Sequence, residues 1–334
     1  MKTQIFATLI SFTVTVLVCP VLLPILKKLK FGQAERALGP ESHFKKAGTP
    51  TIGGISFIAG MIASCAVLGL TRSFDLVFAL VISLLFGLIG FLDDYMKIIQ
   101  KNALTDTKNL SSASLGMRGR HKIVMQFSVA AALAVYAAYH PNIGTDVLIP
   151  FLSINWDMGL LFIPFVIFAA VAVVNASNLT DGLDGLAAGV AMIIMVFFLI
   201  FSGAKGYSEI SILSASTIGG CMGFICYNFN PAKVFMGDTG SMALGGAVIV
   251  CSVLTKTEFF ILIAGAIYVI EALSDIIQVA YFKATHGKRF FKMAPIHHHF
   301  ELSGWPETRV VIVFWTFTAV CVMLSVLAAG LNIY

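Results

Sequence analysis

Charge is scarce in this 334-residue chain: only 12% of it is Asp, Glu, Lys or Arg, about half the share in an ordinary soluble domain. Hydrophobic residues make up 58% and mean hydropathy is +0.91. That balance excludes a soluble globular protein, a disordered chain and a nucleic-acid-binding domain. Close cysteine pairs are missing as well. Cys19, Cys65, Cys221, Cys226, Cys251 and Cys321 all fall inside apolar stretches with no CxxC spacing, which excludes a disulfide scaffold or a thiolate metal site and leaves packing roles. No GxxxxGKS or GxxxxGKT occurs, and no GxGxxG follows a strand, so the phosphate loops of P-loop ATPases and dinucleotide enzymes are absent. Internal repeats of fixed period and low-complexity tracts are lacking too.

The sequence does hold apolar blocks of roughly 17 to 24 residues, the length that crosses a bilayer. Ten are read, at 4–26, 52–70, 74–92, 123–139, 158–174, 183–201, 210–227, 240–254, 259–282 and 310–331. The expected fold is all-α: one polytopic membrane domain over 1–334 with about ten transmembrane helices. Of the 22 Lys and Arg, 18 fall in the connections after the first, third, fifth, seventh and ninth blocks. Cytoplasmic loops retain positive charge, so those connections are expected inside and both termini outside. The first block has only Lys2 ahead of it and Lys27, Lys28 and Lys30 behind it; it is expected to stay as a membrane helix rather than be cleaved as a signal.

Acids number 17, few enough for their positions to be informative. Asp93 and Asp94 close the third block, Asp181 and Asp184 lie after the fifth and Asp238 after the seventh, all on the expected cytoplasmic face. The connection Asn175-Ala-Ser-Asn178-Leu-Thr-Asp181-Gly182-Leu183-Asp184-Gly185 has two acids and no Lys or Arg. A hard divalent cation such as Mg²⁺ would neutralise it, with amide oxygens of Asn175 and Asn178 as further donors. Helix capping by Thr180 and Asp181 is the alternative, and for a single loop the slightly better one.

A second connection, from Asn228 through Phe235 to Asp238 and Ser241, again sets an acid and glycines before an apolar block, and Lys45–Gly54 repeats the layout without the acid. Three helix N-termini are thus expected to converge, presenting unpaired N–H groups to an anion, with Asp93 and Asp94 at a helix C-terminus that favours a cation. Amides beside carboxylates suit Mg²⁺-assisted phosphoryl transfer.

In the ninth connection His297, His298 and His299 stand in a row. On a helix they would point about 100° apart, so a single metal held by all three is not expected, and hydrogen bonding to a diphosphate is the functional reading. Lys288, Arg289 and Lys292 beside them suit an interface with anionic lipid. Glu271 and Asp275 lie within the ninth block, with Ser274 and Gln278 extending the same face. A ligand contact, best placed at Gln278, and a structural partnership with a neighbouring helix are equally open. Phe235, three residues before Asp238, is the one aromatic placed to stack on a base.

Four stretches resemble a known family: Phe91-Leu-Asp93-Asp94-Tyr-Met-Lys97, Asn175 to Gly185, Asn228 to Ser241, and Met293-Ala-Pro-Ile-His297-His298-His299-Phe-Glu301. They are similar, in the same order and over essentially the whole chain, to bacterial phospho-N-acetylmuramoyl-pentapeptide transferases of peptidoglycan synthesis. The resemblance implies Mg²⁺-dependent transfer of phospho-N-acetylmuramoyl-pentapeptide from UDP-N-acetylmuramoyl-pentapeptide to undecaprenyl phosphate, giving lipid I and UMP at the cytoplasmic face of the bacterial inner membrane. It also allows a homodimer. By position, Asp93, Asp94 and Asp238 match the family's essential acids, with Asp238 the Mg²⁺ ligand and Asn178 a second oxygen ligand. Lys46, Thr51, Asn175, Asp181, Gly182, Leu183, Asp184, Asn228, Phe235 and Gln278 match positions around the nucleoside; His297, His298 and His299 match a motif near the diphosphate. Lys97, i+4 from Asp93, is either a helix salt bridge or a phosphate contact, and the phosphate contact is preferred. Asp275 stands where an apolar residue is expected.

The resemblance leaves open whether an Asp deprotonates the lipid phosphate for direct attack or first becomes a phospho-enzyme; direct attack is preferred, with Asp93 as base. Two rivals stand beside it. A sibling transferase would move N-acetylglucosamine-1-phosphate to the same lipid, against which the triple histidine and Lys46-Ala-Gly-Thr-Pro-Thr51 argue. A secondary transporter would place its acids at mid-membrane within inverted repeats, and neither pattern is visible.

Overall fold

In the computed structural model the described residues are 2–28, 48–69, 73–103, 115–152 and 154–330. Among these described residues twelve α-helices follow in order: α1 Lys2–Lys28, α2 Ile55–Leu68, α3 Phe74–Ala103, α4 Gly119–Tyr139, α5 Phe162–Thr180, α6 Leu186–Lys205, α7 Ser208–Asn228, α8 Gly237–Leu254, α9 Ile261–Ala264, α10 Ala266–Ala284, α11 Ile296–Glu301 and α12 Glu307–Ala328. Each of the ten apolar blocks is found as helix. Eight of the helices are long and apolar enough to cross a bilayer. The ninth block breaks at Gly265, where α10 turns by 81° from the short segment Glu258–Ala264. Helix α2 has 14 residues, about 21 Å at 1.5 Å per residue, short of the ~30 Å hydrocarbon core. Apolarity reported where the helices are, whereas the bend and the short helix depend on direction and length within an apolar block.

A two-stranded antiparallel hairpin, β1 Asp146–Ile149 and β2 Ile154–Asp157, pairs Val147 with Trp156 and Ile149 with Ile154. This hairpin is the one sheet among the described residues and leaves the all-α expectation standing; four-residue strands in a connection carry too few residues to show a period. Leu148 N–H donates to the Lys256 carbonyl, so the hairpin caps the end of α8 remote from Asp238.

Helix α8 runs through the centre, buried on almost every side. Its sequence is rich in small residues, which let helices approach closely where no hydrophobic effect drives them together. A Cβ on Gly246 would meet Phe86 of α3 at 3.0 Å, and one on Gly245 the Val174 backbone of α5 at 2.7 Å. On the α3 side, a Cβ on Gly90 would overlap the Asp238 carbonyl. Gly90 therefore lets α3 lie directly against the first turn of α8, and this crossing sets Asp93 and Asp94 beside Asp238.

Candidate active site

Asp94 is buried within α3, which runs on to Ala103. Asp93 and Asp94 therefore do not lie at a helix C-terminus, as the end of the apolar block led one to expect, because the polar residues after them continue the helix. Asp94 Oδ2 accepts the backbone N–H (2.9 Å) and the hydroxyl (2.8 Å) of Thr239, and its Oδ1 accepts the Asp238 N–H at 3.3 Å. Helix α8 has no capping side chain of its own; a carboxylate from another helix supplies the cap. Asp93, also buried, accepts the Met117 N–H at 2.7 Å through Oδ1, and its Oδ2 lies 2.9 Å from Lys97 Nζ and 3.3 Å from Lys122 Nζ. The same two lysines meet at Asp238: Oδ2 is 2.6 Å from Lys122 Nζ and 3.0 Å from Lys97 Nζ. Lys122, on the first turn of α4, was not singled out from the sequence. It lies in a connection with six Lys and Arg between 93 and 122, and nothing local ranks them.

The backbone of the opening turn of α8 is held from the other side by residues 50–54. Gly53 N–H donates to the Phe235 carbonyl (2.8 Å), Gly54 N–H to Met236 (3.0 Å), and Phe235 N–H to Pro50 (2.8 Å). Ile52 is buried between them at φ 69°, a conformation that β-branched residues avoid. A Cβ on Gly237 would meet both Asp94 Oδ2 (2.8 Å) and Thr51 Oγ1 (2.9 Å), and Gly237 sits at φ 74°. Glycine is therefore required there on two counts. Thr51 and Phe235 are both half-buried at this junction. Lys46 lies outside the described residues.

The α5–α6 connection closes the third side. Asp181 accepts a hydrogen bond from Gly237 N–H; burial, with Asp238, Asp94 and Asp184 adding negative charge, pushes its carboxyl up to about 8. Asn178 donates to Ser241 Oγ at 2.8 Å, and Ser177 Oγ to the Ser241 carbonyl at 2.8 Å, so both reach the first turn of α8. Asp93, Asp181 and Asp238 thus come together around one helix N-terminus.

The remaining predicted residues divide between contacts and ties. Asp184 Oδ2 accepts from Asn230 Nδ2 (3.1 Å) and Ala232 N–H (3.0 Å), while Asn228 accepts from Gly185 N–H (2.9 Å) and donates to the Val234 carbonyl (2.8 Å). They bind the α5–α6 and α7–α8 connections together, with Leu183 buried under them. Glu307, unforeseen, adds Oε1 to Asp184 N–H (2.7 Å) and Oε2 to Asn230 (3.0 Å). Asn175 exchanges amides with Gln126 of α4 at 2.8 and 3.3 Å. The amide of Gln278 is engaged with the backbone of Phe290 and Phe291 and so holds the α10–α11 connection against α10. His297 Nδ1 lies 3.0 Å from Glu271 Oε2, and its ring edge stands against Gly182. His298 pairs with Glu301 at 2.8 Å, and His299 Nδ1 accepts the Lys292 N–H at 3.1 Å. The three imidazoles thus take different partners, although the His297 and His298 rings pack against each other with centroids 4.1 Å apart.

Among the described residues no three His, Cys, Asp or Glu side chains form a ready metal cage. The donor chemistry nevertheless fits a hard cation with few protein ligands. Asp238 and Asn178 offer oxygens on adjoining elements, while burial, with the neighbouring acids adding to it, favours the protonated carboxyl of Asp181. Mg²⁺ usually keeps several waters and shares substrate phosphates.

Residues 76–256 match the family model for glycosyl transferase family 4. A phospho-N-acetylmuramoyl-pentapeptide transferase of Clostridioides difficile (strain 630) is 48% identical over 327 residues, covering 97% of both chains. Relatives with the same description are 45% identical in Clostridium kluyveri (97% of this chain, 98% of the relative) and 43% in Bacillus subtilis strain 168 (99% and 98%). With such identity along nearly its full length, and the conjunction of acids, lysines and helix N-terminus just described, the chain belongs to the phospho-N-acetylmuramoyl-pentapeptide transferases of glycosyl transferase family 4.

Proposed function

We propose that this cleft transfers phospho-N-acetylmuramoyl-pentapeptide from UDP-N-acetylmuramoyl-pentapeptide to undecaprenyl phosphate, releasing UMP and forming lipid I. The observation that carries the reading is the meeting of Asp93 and Asp238 with Lys97 and Lys122 at the N-terminus of α8. Two carboxylates and two ammonium groups meet there, while the first N–H groups of α8, expected from the sequence to stand unpaired, are taken by Asp94 and Asp181. The excess of Lys and Arg in odd-numbered connections supports a cytoplasmic cleft in a multi-pass protein of the bacterial inner membrane.

In this reading Lys97 and Lys122 bind the diphosphate, helped by the positive end of α8. Asp93 takes the proton from the lipid phosphate, which then attacks the sugar-bearing phosphorus in line with the departing UMP. Asp94 keeps the α8 turn in place. Asp238 and Asn178 would hold Mg²⁺, which when bound neutralises the diphosphate and polarises a phosphoryl oxygen. Asp181, Gly182, Leu183, Asp184, Asn228 and Phe235 shape the nucleoside end, and His297, His298 and His299 back the diphosphate.

UMP release by purified protein, given Mg²⁺ and both substrates, tests this directly. Wild type is expected to turn over and Asp238→Ala to lose nearly all activity. Turnover of UDP-N-acetylglucosamine in place of the pentapeptide nucleotide would establish the sibling reaction, and retention of activity by Asp238→Ala would refute the metal role. A phosphorylated enzyme formed from the UDP substrate alone would replace direct attack with a two-step route.

A further inference from the structure

One oxygen of Asp238 already carries two cations. Lys122 Nζ lies 2.6 Å from Oδ2 and Lys97 Nζ 3.0 Å from the same atom. Lys97 is more exposed and divides itself among Asp93, Asp94 (3.8 Å) and Asp238. Lys122 is only 15% exposed and faces Asp93 and Asp238. Its direction is fixed one turn further along α4, where Gln126, wholly buried, is locked to Asn175 of α5 by the paired amides. That lock holds the face of α4 carrying Lys122 toward the acids.

We propose that Lys122 is the resident counter-ion of Asp238, and that it passes from this carboxylate to the diphosphate of the nucleotide when a divalent cation takes its place, so that cation and nucleotide bind cooperatively. The part concerning the diphosphate rests on the function proposed above; the part concerning the cation does not. A divalent cation bonded to Asp238 would sit about 2.1 Å from its oxygen. An ammonium group at 2.6 Å from that oxygen would then oppose it at close range and in partial burial, where charges are weakly screened. One of the two has to withdraw. Lysine is suited to withdrawing, being a point charge on a flexible stem with no fixed bonding fork. The ammonium of Lys122 spares Asp238 from standing as a lone anion. Once a diphosphate arrives, its oxygens offer the lysine a stronger partner than a carboxylate already bound to metal. Each ligand thereby removes an obstacle to the other, which is a coupling free energy and is reciprocal.

The full-length protein in detergent, with Mn²⁺ as a spectroscopic stand-in and UDP as the anion, tests this by binding alone. Without UDP, Lys122→Met is expected to bind Mn²⁺ roughly tenfold more tightly than wild type, within the usual span of site coupling. Lys122→Arg, which keeps the charge, should stay near wild type, and Lys97→Met should change affinity less than Lys122→Met. In wild type, saturating Mn²⁺ is expected to tighten UDP roughly tenfold, and Lys122→Met should lose most of that gain. Asp238→Asn, deprived of the protein's carboxylate, measures what Mn²⁺ and UDP do to each other in solution. Mn²⁺ affinity in Lys122→Met equal to or below wild type would overturn the counter-ion role. Tightened Mn²⁺ with the UDP gain intact would overturn the hand-over. A wild-type protein that binds Mn²⁺ but never UDP would overturn the hand-over together with the proposed substrate, while the comparison of Mn²⁺ affinities would still decide the counter-ion role.

Discussion

Nδ1 of His297 lies 3.0 Å from Oε2 of Glu271, and both side chains are withdrawn from solvent. The far nitrogen of the ring, Nε2, has no hydrogen-bond partner among the described residues and abuts Gly182, where an added Cβ would overlap it. A carboxylate in α10, a histidine in α11 and a glycine beside Asp181 thus form one stack behind the site. Removing the histidine leaves Glu271 as a buried carboxylate without its partner, which typically costs about 3–5 kcal/mol. We expect His297→Ala to lower unfolding stability by an amount of that order. Adding Glu271→Gln should recover a substantial part, because the orphaned charge goes with it. Equal losses in the single and double variants, measured by denaturation in one detergent, would show that the pair contributes nothing as a pair.

The same stack makes a prediction for Gly182→Ala. The backbone at Gly182 is not in the left-handed region, so the substitution acts through the methyl group alone. Forcing it against the imidazole should cost roughly 1–3 kcal/mol and slow turnover by displacing Asp181. In a His297→Ala background the methyl has room, and the stability cost should vanish. A cost that persists there would place the strain elsewhere than at the ring.

How far such features could be read from the sequence depends on their length. The apolar blocks were legible because a bilayer imposes about 20 residues on each crossing, and the acids because a carboxylate at the end of such a block is conspicuous. Asp93, Asp181 and Asp238 were therefore expected to meet, and they do. The partners of those acids were not legible. Lys122 is one of six cations in its connection, and only the crossing of α3, α4 and α8 selects it. Glu307 acts from the start of the last helix on a loop 123 residues away. Gln278, read as the polar group nearest the ligand, faces irregular backbone at Phe290 and Phe291, a segment whose path no periodicity announces.

Asp181 makes stability depend on pH. In the folded protein its carboxyl is pushed up to about 8, first by burial and then by Asp238, Asp94 and Asp184; in the unfolded chain it titrates near the usual ~3.9. Between those values the folded state holds a proton that the unfolded state has released. The contribution is thus present below about pH 4 and is lost as pH rises toward 8. Asp181→Asn keeps the neutral form at every pH. Its melting temperature relative to wild type should therefore climb steadily from pH 5 to pH 8 without metal, even as nucleotide binding falls. A difference that stays flat over that range would mean that Asp181 ionises like an exposed carboxylate.

Glu307 ties together the two connections proposed to shape the nucleoside end. Its Oε1 accepts the Asp184 N–H at 2.7 Å and its Oε2 the Asn230 amide at 3.0 Å, while Asp184 in turn accepts from Asn230 and Ala232. As the first residue of α12 it also benefits from the positive end of that helix. Glu307→Ala removes two acceptors at once and leaves the Asp184 N–H without this partner, a loss of about 1–3 kcal/mol. Lys97, Lys122 and Asp93 are untouched by the change, so the chemical step should be spared. The expected signature is a raised KM for the nucleotide with kcat within about threefold of wild type, since lost ground-state positioning appears in KM. Glu307→Gln, which keeps an acceptor for Asp184 N–H, should fall between the two. A fall in kcat at constant KM would instead place Glu307 in the support of the reacting phosphates, and its tie to Asp184 would then serve a different end of the site.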